Sequence, residues 1–171
     1  MTQTDALLQQ VAELGCTRHR VQRGDVRALA NDVDTDLIVR GRSRDDGRLI
    51  VIVEDEPAVR QGLEVLLAGW GATIVSLASV GAARAWAEAG DPAQPPALVI
   101  ADYRLDNGET GVAAIDLVRE RFGRGVPAIV VTGSSMTGHD KEALEHDFHL
   151  LIKPVLPNKL RAMIAFKLGR R

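Results

Sequence analysis

From residue 49 onward, short apolar runs alternate with stretches in which apolar positions recur at a helical period. Residues 49–53, 98–101, 128–131 and 150–152 are continuous apolar runs too short for helices. They read as strands buried on both faces of a parallel sheet. Residues 73–77 form a further, less apolar strand. Between the strands, 57–68 opens on Pro57, a helix-starting residue, and places Val59, Leu63, Leu66 and Leu67 on one face. Residues 80–89, 111–122 (Val112, Ile115 and Val118 inward), 137–146 and 157–168 complete a set of five helices, the fourth of them polar. Gly69-Trp70-Gly71 is a turn, and the Pro-rich 91–96 is a stiff loop. Strands alternating with helices in this way predict an α/β domain with a parallel sheet covered on both faces.

The first 47 residues are patterned differently. Residues 5–14 place Leu7, Leu8, Val11 and Leu14 on one helical face, and a short strand, a helix and the apolar Leu37-Ile38-Val39 follow. From Leu14 to Gly47 this segment aligns with residues 70–108, with Gly41 falling opposite Asp102. The segment is either a degenerate half-copy of the main domain or a stretch that aligns by period alone. Too small to bury a core, it needs a partner surface for its aliphatic side chains, each worth roughly 1.5–3 kcal/mol when buried. The surfaces at hand are the main domain and a second copy of the segment, and a homodimer is the favoured expectation. The boundary falls in the charged 40–48, giving an N-terminal segment at 1–47 and a domain at 48–171.

Composition narrows the classes. With 46% hydrophobic and 26% charged residues and a net charge of −2, the chain reads as a soluble globular protein with no bulk electrostatic pull toward nucleic acid or membrane. No apolar run reaches the roughly 18–20 residues of a membrane span, and no signal peptide is expected. The single cysteine, Cys16, cannot form an internal disulfide. A cytoplasmic location follows as the expectation.

The candidate chemistry lies where the strands end. The run 49–53 leads into Glu54-Asp55-Glu56, 98–101 into Asp102, 128–131 into Thr132-Gly133, and 150–152 into Lys153-Pro154. In an open α/β sheet, ligands sit outside the carboxyl ends of the strands. Carboxylates, a hydroxyl and a lysine on one rim suit a hard cation and a phosphoryl group. Glu54, Asp55 and Asp102 can supply oxygens to Mg²⁺, Thr132 can donate to a phosphoryl oxygen, and Lys153 can neutralise developing charge. Asp102 is left as the nucleophile.

This ordered set, Glu54-Asp55, Asp102, Thr132 and Lys153-Pro154, resembles the receiver domain of two-component response regulators over roughly residues 48–170. The run Ala101-Asp102-Tyr103-Arg104-Leu105 and the loop 106–111 are most similar to receivers at the C-terminus of hybrid sensor histidine kinases. The resemblance implies a flavodoxin-like, doubly wound sheet of five parallel strands in the order 2-1-3-4-5, here with an N-terminal helix-strand extension. It implies Asp102 as phosphoacceptor, Thr132 and Lys153 as its catalytic companions, and the Gly133 N–H as a donor to the phosphoryl group. It further implies Mg²⁺ held by Asp55, Asp102 and the backbone carbonyl of Arg104, with Glu54 acting through water, and a cis Lys153-Pro154 bond. The partners implied are a histidine kinase or histidine phosphotransfer protein as donor, and a downstream protein met through the fourth helix, fifth strand and fifth helix. Two departures stand out: Glu54 replaces a more usual Asp, and Leu150 occupies a position where many receivers carry the aromatic of their activation switch.

Two rivals remain. An aspartate-nucleophile phosphatase wants an Asp two residues after the nucleophile, where this chain has Arg104. A binding module without phosphorylation would have no need of the full acid set, Thr132 and Lys153. His19, His139, His146 and His149 lie in no kinase-type histidine motif, and no ATP lid is evident, so the chain is expected not to be a kinase itself. Lys159, Arg161, Lys167, Arg170 and Arg171 read as a solvated basic face.

Overall fold

The computed structural model describes residues 47–133 and 139–169. The expectations for the N-terminal segment, and those that rest on Arg170 and Arg171, lie outside the described residues. Five strands form one parallel sheet: β1 (Leu49–Val53), β2 (Thr73–Leu77), β3 (Leu98–Asp102), β4 (Ala128–Thr132) and β5 (His149–Ile152). Their order is β2-β1-β3-β4-β5, as the resemblance implied. Four helices connect them, α1 (Pro57–Gly69), α2 (Val80–Ala89), α3 (Gly111–Phe122) and α4 (His139–Glu145), and α5 (Pro157–Gly169) follows β5. The predicted start of the fourth helix, Thr137, falls outside the described residues.

The two-residue period of the strands divides the apolar residues between two cores. Ile50, Ile52, Leu98, Ile100, Ile129 and Val131 face α1 and α5, where Val59, Leu63, Leu67, Leu160 and Ile164 meet them. Val51, Val53, Val99, Ala101, Ala128 and Val130 face the other way, against Val80 and Ala83 of α2 and Val112, Ile115 and Val118 of α3. The central strands are apolar on both faces because both faces are covered. Of the expected inward face of α1, Val59, Leu63 and Leu67 are buried, and Leu66 packs at the margin of the core.

Local chemistry fixes the helix starts that frame the rim. Pro57 opens α1. Ser79 caps α2 by accepting from the Ala82 N–H at 3.1 Å, and Thr110 caps α3 by accepting from Ala113 at 3.3 Å. Between β3 and α3 the chain turns tightly at Asn107 and Gly108, both with positive φ (60° and 76°), a conformation Asn and Gly tolerate.

Candidate functional site

β1 and β3 are adjacent and in register, Val53 opposite Ala101, so the residues that follow them meet at the rim. Carboxylate oxygens of Glu54, Asp55 and Asp102 lie within 4.8 Å of one another. From β5, two strands away, Lys153 reaches in. Its Nζ lies 2.7 Å from Asp102 Oδ2 and 3.9 Å from Glu54 Oε2. The Lys153-Pro154 bond is cis, and the Lys153 N–H donates to the Thr132 carbonyl at 2.8 Å. Thr132 itself is buried at the end of β4, and the exposed Gly133 follows it.

Glu54 is nearly inaccessible, 3% exposed. Its Oε1 accepts the Glu56 N–H at 3.2 Å, while Arg60 donates to its carbonyl at 2.6 Å. Burial first, and then the negative charge of Asp102, push the Glu54 carboxyl up to about 7 against the pull of Lys153. One lysine is therefore shared among carboxylates that carry more negative charge than it can neutralise. A hard divalent cation fits that excess, since its ligands are oxygens and its charge favours their ionised forms.

Two neighbours of the site carried no role in the sequence reading. Asp106, exposed in the turn after β3, is raised above the ordinary carboxylate range by the charge of the adjacent Asp55, so the acidic rim extends over the mouth. Gly111 opens α3 directly against the end of β3. A Cβ there would stand 2.1 Å from the Asp102 carbonyl oxygen and 2.7 Å from the Ala101 Cβ. Its N–H donates to the Tyr103 carbonyl at 3.1 Å. The signal available in the sequence was the pair Thr110-Gly111 at the helix start.

The other expected residues fall as follows. Arg104 lies two residues past Asp102 and pairs with Thr110 across an isolated antiparallel bridge. Leu150 lies partly buried against the α2–α3 core. His146 Nδ1 is 3.2 Å from Asp116, and His149 sits 5.5 Å from the Phe166 ring, so neither joins the rim. Among the described residues, no helix is long and apolar enough to cross a membrane.

A five-stranded, doubly wound sheet of order 2-1-3-4-5 with an acidic cluster and a lysine on its C-terminal rim defines the receiver class. Residues 50–165 match the family model described as the response regulator receiver domain, and the chain belongs to that family. It is 30% identical over 143 residues to the phyllosphere-induced regulator PhyR of Methylorubrum extorquens, a match covering 82% of this chain and 49% of that protein. The chain thus spans about half the length of this curated relative, and the match reaches into the segment ahead of β1. The receiver domain of a sensor histidine kinase from Pseudomonas aeruginosa, solved with a magnesium ion coordinated in its active site cleft, is 26% identical. It has a TM-score of 0.61, covering 72% of this chain and 98% of that one. A response regulator receiver protein from Sinorhizobium medicae, 19% identical, shares the fold with a TM-score of 0.65 over 75% of this chain and 98% of that one.

Proposed function

We propose that the chain is a phosphoacceptor in two-component or phosphorelay signalling, taking a phosphoryl group from a phosphohistidine onto Asp102. The observation that carries this reading is the approach of Lys153 Nζ to 2.7 Å from Asp102 Oδ2, beside the Glu54 and Asp55 carboxylates. A carboxylate oxygen of Asp102 attacks phosphorus in line, the phosphorus–nitrogen bond of the donor breaks, and the electron pair leaves with the imidazole. Lys153, held at the rim by its backbone bond to Thr132, stabilises the charge on the phosphoryl oxygens. Thr132 and the Gly133 N–H donate to the same oxygens. Asp55, Asp102 and the Arg104 carbonyl would hold Mg²⁺ directly, with Glu54 through water. The ion would supply further charge neutralisation.

The donor is a histidine kinase or a histidine phosphotransfer protein, and the chain itself acts as acceptor rather than kinase. The output is a protein contact on the face formed by α4, β5 and α5, where Leu144 and Phe166 are 84% and 47% exposed. The test is transfer from a radiolabelled phosphohistidine protein in Mg²⁺. The wild type takes the label, Asp102→Asn takes none, and Lys153→Ala takes it roughly a hundredfold more slowly, the cost of removing one preorganised donor. A Lys153→Ala variant that is labelled at the wild-type rate would remove the lysine from the mechanism.

A further inference from the structure

Arg60 closes the first turn of α1, which opens on Pro57. A cation there faces the positive end of the helix dipole, the unfavourable end for it. Glu56 and Glu64 lie four residues to either side, the spacing of helical ion pairs. Half-buried, the guanidinium pairs with neither. It turns back over the start of its own helix, where Nη1 donates to the Glu54 carbonyl at 2.6 Å and to the Asp55 carbonyl at 3.3 Å. Its bonds serve the turn ahead of the helix rather than the helix.

That turn, residues 54–56, carries two of the three clustered carboxylates of the rim. Glu54 and Glu56 are also held elsewhere: the Glu54 N–H donates to the Leu77 carbonyl at 3.0 Å, and the Glu56 N–H to Glu54 Oε1 at 3.2 Å. Asp55, between them, is gripped through its carbonyl by Arg60. Lys153 also steadies the rim, but it does so on Asp102 Oδ2, an oxygen of the cluster. Arg60 works through carbonyls and takes up no carboxylate oxygen. It also withholds those carbonyls from a cation. Ca²⁺ gathers more oxygens in a looser shell and readily uses backbone carbonyls, whereas Mg²⁺ demands near-ideal octahedral geometry and keeps several waters. A rigid turn with its carbonyls occupied suits the smaller ion.

We propose that Arg60 is a positioning residue for the cation site, setting the Glu54–Asp55 turn so that the Asp55 carboxylate meets those of Glu54 and Asp102 and the site favours Mg²⁺ over Ca²⁺. This rests on the reading of the acidic rim as a Mg²⁺ site. Charge alone makes the opposite demand. The guanidinium repels a second cation, so its removal would tighten metal binding if repulsion were its whole effect. Positioning predicts a loss of affinity where electrostatics predicts a gain.

The experiment titrates the full chain with MgCl₂ and, separately, with CaCl₂, following the Asp55 and Asp102 amide signals by NMR, for the wild type, Arg60→Met, Arg60→Lys and Asp55→Asn. Arg60→Met keeps the aliphatic stem and removes donor and charge together. Mg²⁺ binds this variant about tenfold more weakly than the wild type, the loss expected when a group that orients a metal ligand is removed. Ca²⁺ loses less, so the preference for Mg²⁺ narrows. Arg60→Lys recovers part of the affinity, since an ammonium still donates to a carbonyl. The β4 and α3 amides keep their positions, which separates a displaced turn from an unfolded chain. Unchanged or tighter Mg²⁺ binding by Arg60→Met overturns the positioning role while the site stands, and equal losses for the two ions overturn the selectivity. Should Arg60→Met fail to fold, Arg60→Lys decides alone, and full wild-type affinity and preference overturn the proposal. A wild type that binds no Mg²⁺, or an Asp55→Asn variant that binds it equally well, overturns the site and the proposal with it.

Discussion

Replacing Glu54 by Gln keeps the shape of a buried side chain and removes its charge, and the cost of that charge follows from its surroundings. The folded carboxyl titrates near 7 against 4.5 for the ordinary group. At about 1.4 kcal/mol per pKa unit, the difference corresponds to about 3 kcal/mol. The sign follows from proton binding. Between 4.5 and 7 the folded chain holds a proton that the unfolded chain has released, so stability falls as pH rises through that window. It is fully present below 4.5 and lost above 7. Glu54→Gln has no such slope of its own, and the titrating groups not coupled to Glu54 are common to both proteins and cancel in the difference. Urea unfolding in EDTA at pH 5 and pH 8 therefore shows the variant gaining about 3 kcal/mol on the wild type at the higher pH, about 10 °C in Tm. Adding Mg²⁺ at pH 8 then restores wild-type stability and acts less on the variant. A difference between the two proteins that stays constant from pH 5 to pH 8 would refute the burial argument.

Two further substitutions test the framework of the site. Gly111→Ala drives a methyl group into the backbone of Asp102. It should cost about 3 kcal/mol in urea unfolding and slow labelling of Asp102 as the end of β3 shifts. Arg119→Ala leaves the carbonyls of Val126, His146 and Asp147 without their guanidinium donor. A loss of about 3 kcal/mol is expected, with Arg119→Lys recovering only part of it, since an ammonium cannot reproduce the planar fork.

The strands were legible because their signal is local. β1, β3 and β4 are buried on both faces, which demands unbroken runs such as Ile50-Val51-Ile52-Val53, and each run ends within a residue of the observed strand. The acids and the lysine at the rim were legible for the same reason, since each marks a strand end. Contacts between distant elements were not. Arg119 reads in the sequence as one more charge on an amphipathic helix, yet it is buried and spans from α3 to the turn after α4. Tyr103 and Glu142 lie 39 residues apart, and no period connects them. The packing of Gly111 on β3 likewise depends on how closely two elements approach, which a one-dimensional pattern does not encode.

Mass spectrometry of the chain treated with acetyl phosphate reads most directly whether Asp102 carries the phosphoryl group. With Mg²⁺ present, a single phosphoryl mass is expected on the peptide containing Asp102. In EDTA, or in Asp102→Asn, that mass should be absent. A label on another residue, or one that persists undiminished in Asp102→Asn, would contradict the assignment.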